Sequence, residues 1–233
     1  MILITGASQG IGFECARALL ARTGATVMIT ARSEAGLERA RAAVPPQDRV
    51  RLLTRVCDQD NRVEVESLVR AVADAERLDG AILNVGVNPA WSQGPRRIHS
   101  LDAPTIEAVI RTNCTHTLLL TAAVLGRFRQ QRSGVLIWVG SQGSHAGLPG
   151  AALYCATKSF LSGLARAADH EYAGRSVRVH LLHPGVVRTA RTAAIADGFA
   201  NAHKVCVHEP AEVAGRIVTR FLSSEASRVE VDI

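Results

Sequence analysis

The stretch Thr5-Gly6-Ala7-Ser8-Gln9-Gly10-Ile11-Gly12 decides how this chain folds. It follows the apolar run Ile2-Leu3-Ile4 and leads into residues 11–22, where Ile11, Cys15, Ala18 and Leu19 recur at helical spacing. A strand therefore passes through a glycine-rich turn into a helix. Glycines let the backbone turn sharply and approach a pyrophosphate, whose charge is favoured by the free N–H groups at the helix start. The spacing G-x-x-x-G-x-G differs from the common G-x-G-x-x-G fingerprint, and a turn of this kind can serve packing alone. At the first strand of an α/β chain it reads as dinucleotide binding.

Outward from this turn the pattern repeats. Strands are expected at 25–30, 50–56, 81–85, 135–139, 177–183 and 228–231. Helices are expected at 34–44 (stopped by Pro45-Pro46), 61–77, 101–129, 154–173 and 211–222. In the helix at 61–77, Val63, Val65, Leu68, Val69 and Val72 are expected to point inward. Near-continuous apolar strands alternating with helices imply a parallel sheet covered on both faces. With right-handed crossovers this is an α/β, Rossmann-type doubly wound sheet of about seven strands, with ligands beyond the carboxyl ends. No linker, repeat or low-complexity tract interrupts the 233 residues, so 1–233 is expected to be a single domain.

Composition excludes several classes. Hydrophobic residues at 47% and charged residues at 21% fit a soluble globular chain, not a disordered one. The longest apolar runs are cut by Thr and Gly well before the roughly 18 residues of a membrane span. Met1 runs at once into a strand, leaving no room for a secretory signal. Five widely spaced cysteines without a C-x-x-C pair argue against a disulfide framework and a metal site, and a cytoplasmic location is expected. The net charge of +6 comes from scattered arginines, with Lys158 and Lys204 the only lysines. Without a basic run or many aromatics, this is a solvated surface with a local anion preference, not a nucleic-acid footprint.

Tyr154-Cys155-Ala156-Thr157-Lys158 is the second informative stretch. A Tyr and a Lys four apart share one helix face. An ammonium beside a phenol is expected to lower its pKa and make it a usable acid or base near neutrality. Ser141 ends the fifth strand, where a hydroxyl can hydrogen-bond a substrate oxygen as charge develops.

Taken in order, these features resemble the short-chain dehydrogenase/reductase family over nearly the whole chain. The T-G-x-x-x-G-I-G turn, Asn84 and Gly86, Asn113, Ser141, Tyr154/Lys158 and Pro184-Gly185 stand in the family's sequence order, with its Ser-to-Tyr gap of thirteen. The resemblance implies Tyr154 as general acid/base and Lys158 on the nicotinamide ribose, lowering the Tyr pKa. It implies Ser141 orienting the substrate oxygen and Asn113 holding a relay water. It also implies a cofactor site of Gly6, Ser8, Gln9, Gly10, Ile11, Gly12, Asn84, Gly86, Pro184, Gly185, Val187 and Thr189. The family's N-N-A-G is here Asn84-Val85-Gly86-Val87, and its terminal glycine-rich stretch is missing.

Cofactor choice is read at the end of the second strand. Thr30-Ala31-Arg32-Ser33 has no acid before Glu34, and Arg32 offers a fork suited to a 2′-phosphate, unless it is merely a surface arginine. NADP(H) is thus expected ahead of NAD(H). Asp58 either contacts the adenine amino group or caps a helix. Trp91, Gln142, His145, Leu148, Leu153 and Arg191 are expected to line the substrate pocket, under a lid at 189–208. That lid contains Phe199, and Arg188, Arg191 and Lys204 are candidates for an anionic group. His145 is either a second acid/base or a pocket wall, while His180 and His183 read as structural.

The expected activity is an NADP(H)-dependent ketoreductase or alcohol dehydrogenase acting on a small molecule. A non-catalytic dinucleotide sensor and a lyase or epimerase are the alternatives. The helices at 101–129 and 154–173 resemble those through which family members form dimers and tetramers, and a homo-oligomer is expected.

Overall fold

The computed structural model describes residues 1–173, 175–193, 196–198 and 206–233. Strand β1 (Ile2–Ile4) leads to helix α1 (Gly10–Arg22), followed by β2 (Val27–Ala31), α2 (Glu34–Ala42), β3 (Leu52–Val56), α3 (Arg62–Ala73) and β4 (Gly80–Leu83). A short helix α4 (Ala90–Gln93) precedes α5 (Ala103–Ile110), which runs through a π-helical turn (Arg111–Thr115) into α6 (His116–Gln131). Then come β5 (Gly134–Val139), α7 (Gly143–Ala146), α8 (Ala152–Tyr172) and β6 (Val177–His183). The small strands β7 (Val186–Val187) and β8 (Val207–His208), helix α9 (Pro210–Leu222) and strand β9 (Arg228–Asp232) complete the order.

Seven strands form one parallel sheet in the order β3-β2-β1-β4-β5-β6-β9. The expected doubly wound α/β architecture is present. Side-chain alternation divides the core into two layers. Ile2, Ile4 and Ile137 face α1, α2 and α9 with Leu19, Leu37, Ile217 and Phe221. Leu3, Leu136 and Trp138 face α3, α6 and α8 with Leu68, Val124, Phe128 and Leu161. Strand order reverses between β1 and β4, so a cleft opens at the carboxyl ends of these two strands.

Several expected boundaries shift for local reasons. Val50 is not in a strand: Pro46 opens a 3₁₀ turn over Pro46–Arg51, and Val50 is left 80% exposed. Arg51 fastens that turn by donating to the carbonyls of Leu20 and Thr23. Helix α3 starts one residue later than expected, because Asn61 caps it by accepting from the Val63 N–H, and it ends at Ala73. Val63 lies on its outer face and is exposed, whereas Val65, Leu68 and Val72 are buried. Strand β4 ends at Leu83, and residues 84–85 form the rim of the cleft instead.

The continuous helix Ala103–Gln131 is long and apolar enough to cross a membrane by length and composition. Its residues Leu120, Val124, Leu125 and Phe128 instead pack against the sheet, as a core helix does.

Candidate active site

The β1–α1 turn is built for a close approach. Gly6 and Gly10 have φ of +63° and +62°, a left-handed conformation that glycine adopts at little cost. A Cβ on Gly12 would lie 2.8 Å from Asn84 Nδ2 and 2.9 Å from the Gly6 carbonyl oxygen. Gln9 begins α1 without a side-chain cap, so no side chain competes for the first N–H groups of the helix. Asn84 braces the turn from β4: its Nδ2 donates to the carbonyls of Thr5 (3.2 Å) and Gly6 (3.1 Å). Its own N–H donates to Thr5 Oγ1 at 3.0 Å. These features fit a pyrophosphate-bearing dinucleotide.

Farther along the cleft, Arg32 follows the end of β2 and is exposed, with no carboxylate paired to it among the described residues. Ser33 is consumed in capping α2, accepting from the Gly36 N–H at 3.3 Å; Ser8 packs alongside Gly36. Asp58 is not a helix cap, since Asn61 holds that place; its Oδ1 accepts from the Asp60 N–H at 3.0 Å. Gly86 lies against Lys158, where a Cβ would come within 3.1 Å of Nζ.

Tyr154 and Lys158 project from α8 on one face and are both buried, 7% and 4% exposed. Lys158 Nζ donates to the Val139 carbonyl at 2.7 Å and stands 5.7 Å from the centroid of the Tyr154 ring. Burial pushes Tyr154 up to about 12, against the opposing pull of a Ser141 hydrogen bond and the Arg191 charge. The lowering expected from Lys158 is not seen here: removal from water outweighs the pull of Ser141 and Arg191. The same burial brings Lys158 down to about 8.

Ser141 sits just beyond β5, and its Oγ accepts from the Gly143 N–H at 3.2 Å. Sequence reasoning missed what holds it. His183, the last residue of β6, places Nδ1 3.0 Å from the Ser141 carbonyl oxygen and 3.2 Å from its nitrogen. The β5–β6 pairing puts Val139 beside Leu182, so strand adjacency could have placed His183 next to this loop. Asn113 lies buried in the π-helical turn, a distortion that often marks functional positions. Its side chain is fully engaged: Oδ1 accepts from the Val87 N–H (2.8 Å), and Nδ2 donates to the Val87 carbonyl (2.9 Å) and Thr157 Oγ1 (3.0 Å).

Of the expected pocket residues, Trp91 packs against the Tyr154 ring, with ring centroids 5.5 Å apart and planes inclined by 57°. Arg191 lies over the other aromatic, its Cζ 5.7 Å from the Trp91 centroid, and donates to the Gly86 carbonyl at 3.3 Å. Leu148 donates its N–H to Cys155 Sγ, and Leu153 is half-buried on α8. Gln142 turns its side chain toward Gly185 and donates its N–H to the Pro184 carbonyl at 3.1 Å. Val187 is buried in β7, and Thr189 rests its methyl group near Gly10. His145 meets the C-terminal strand, with Nε2 3.4 Å from Asp232 Oδ1 and its ring edge-on to His183. Arg188 is not available for an anion, because it is already paired with Asp197 and Glu209. Phe199 and Lys204 lie outside the described residues, as do 194–195, 200–203 and 205 of the expected lid.

The family profile described as "short chain dehydrogenase" matches residues 1–199. A putative ketoacyl reductase of Streptomyces coelicolor is 32% identical over 209 residues, covering 89% of this chain and 78% of the relative. The 2-(S)-hydroxypropyl-CoM dehydrogenase 3 of Xanthobacter autotrophicus is 30% identical over 192 residues, covering 80% and 71% respectively. A crystal structure of actinorhodin polyketide ketoreductase with NADPH superposes with a TM-score of 0.84 at 26% identity, covering 100% of this chain and 94% of the other.

Proposed function

The chain belongs to the short-chain dehydrogenase/reductase family and is an oxidoreductase of CH–OH and C=O groups; on that premise we propose that it is an NADP(H)-dependent ketoreductase in which Tyr154 is the general acid. The observation that carries this reading is the buried Tyr154 on the same helix face as Lys158, packed against Trp91. A phenol that keeps its proton at neutral pH is in the correct state to give it to a carbonyl oxygen.

The bound nicotinamide supplies the hydride, and this chain's residues do the rest. Ser141 orients the carbonyl oxygen toward Tyr154, which donates its proton as negative charge develops on that oxygen. Lys158 binds the ribose beside Gly86 and lends positive charge to the site. Asn113 positions the loop at Val87 through its side chain, which leaves the relay water to its main chain. The glycine turn at Gly6–Gly12 takes the pyrophosphate. Thr189, Pro184, Gly185 and Val187 flank the nicotinamide, and Asp58 serves the adenine. Arg32, free of any carboxylate among the described residues, supports a preference for the 2′-phosphate, with NAD(H) as the weaker cofactor.

The test is NADPH consumption, followed by absorbance, across a panel of small ketones and aldehydes. Net consumption that depends on the carbonyl compound supports the reading. NADPH binding with no turnover on any of them would favour a sensor and overturn it.

A further inference from the structure

Two arginines flank Thr189, and the fold treats them differently. Arg188 is saturated: Nη1 and Nη2 grip Asp197 at 2.9 and 2.6 Å, and Nε reaches Glu209 at 3.2 Å. Arg191 has no carboxylate paired to it among the described residues. Among the described residues its one hydrogen bond is to the Gly86 carbonyl, which leaves most of the five guanidinium N–H donors without a described partner. Removal from water and the like charge of Arg32 both weigh against its positive charge, and Tyr154 alone acts in its favour. The guanidinium is nevertheless held in place by the Trp91 face, and Trp91 in turn packs against the Tyr154 ring.

An arginine with spare donors, a like-charged neighbour and no carboxylate partner among the described residues is stabilised most by an oxyanion. We propose that Arg191 receives an anionic group of the substrate, so that the enzyme acts on carbonyl compounds bearing a carboxylate or similar oxyanion near the reacting carbon. This rests on the reading of Tyr154 as the acid for that carbon. The other source of an oxyanion in this cleft is the cofactor, through its pyrophosphate and its 2′-phosphate. Those groups have their own donors in the glycine turn, the uncapped start of α1 and Arg32, whereas Arg191 leans on the aromatic wall that Tyr154 shares.

NADP⁺ and a ketone are both oxidised, so their ternary complex with the enzyme cannot react and binding can be read without turnover. Acetoacetate, levulinate and benzoylformate are titrated into the NADP⁺-loaded protein by calorimetry, each beside its methyl ester. The acids are expected to bind at least about tenfold more tightly than the esters. Arg191→Gln is expected to weaken acid binding about tenfold to a hundredfold and leave ester and NADP⁺ binding within about twofold. Arg191→Lys should restore part of the loss, and Arg188→Gln should keep the acid preference intact. Esters binding as well as all three acids overturns the proposal. So does a loss of NADP⁺ affinity in Arg191→Gln, which would assign the guanidinium to the pyrophosphate. Absence of NADP⁺ binding to the wild type is a failure of the cofactor reading, seen before any ketone is added; the same acid and ester titrations on the unloaded protein then decide Arg191.

Discussion

Lys158 donates its ammonium to the main-chain carbonyl of Val139 at 2.7 Å, tying α8 to the end of β5 just ahead of Ser141. A buried charge held by one carbonyl is a strained arrangement electrostatically, and its pKa of about 8, against an ordinary 10.5, records the cost. The folded chain therefore binds this proton less tightly than the unfolded chain, which makes stability rise with pH between those two values. Chemical denaturation of the wild type and Lys158→Met from pH 7 to pH 9.5 should show the wild type gaining about 2 kcal/mol relative to the variant above pH 8. The window stops short of pH 10 because Tyr154, raised to about 12, lowers stability from there upward. Parallel pH profiles for the two proteins would contradict the assignment.

Tyr154→Phe removes the hydroxyl and leaves the ring against Trp91. General acid catalysis is worth roughly 10²–10⁴ in rate, so kcat should fall on that scale. NADPH affinity, measured by fluorescence titration, should stay within about threefold, since the glycine turn and Arg32 are untouched. A variant that retains near-normal turnover would rule out Tyr154 as the acid.

The parallel sheet covered by helices on both faces and the shared helix face of Tyr154 and Lys158 are readable because each rests on local periodicity or on spacing along one element. What escaped is set by contacts between elements. Nothing near Lys158 in the sequence indicates that Val139 takes its ammonium, or that burial of Tyr154 outweighs the charges around it. His183 reads as structural and does hold the Ser141 backbone, but which loop it holds depends on β5 lying beside β6. Asp58 and Asn61 are three apart and both can cap a helix; the one nearer Arg62 does so. Val50 looked like a strand residue because β-propensity does not register the turn that Pro46 starts.

The proposed preference for NADP(H) rests on Arg32, and Arg32→Asp should reverse it. Loss of a charge-assisted contact and gain of a repelling carboxylate together cost on the order of 2–4 kcal/mol. The expected result is a rise in the NADPH dissociation constant of roughly 30-fold or more by this estimate, with NADH binding level or improved. Equal use of NADPH and NADH by the wild type would count against Arg32 before any variant is made.

Assembly can be tested on the outer face of α8, where Ala156, Ser159, Gly163 and Ala167 are exposed while Ser162 turns into the subunit. Small residues on one face allow a second helix to approach closely, and Ile110, Leu118 and Leu119 stand about 40% exposed on α5 and α6. Light scattering of the wild type should give a dimer or tetramer. A Cβ on Gly163 meets nothing within 4 Å in the subunit, so Gly163→Leu should fold normally yet lower the assembled mass. A monomeric wild type at micromolar concentration would refute the expectation.

Gly80 opens β4 directly beneath Phe221 of α9, and a Cβ there would lie 2.2 Å from Phe221 Cζ and 2.9 Å from the Val135 carbonyl oxygen. The ring is a near-fully buried part of the layer between α9 and the sheet, so it has little room to retreat. Overpacking of this kind costs about 1–3 kcal/mol or more. Gly80→Ala should accordingly lower the thermal midpoint by several degrees, at roughly 2–4 °C per kcal/mol for a chain of this size. Phe221→Leu alone should also destabilise, by leaving a cavity. Combined, the two should cost less than their sum, because the shorter side chain vacates the space the new methyl needs. Strict additivity in that double-mutant cycle would mean the backbone of Val135, not the ring, meets the methyl group.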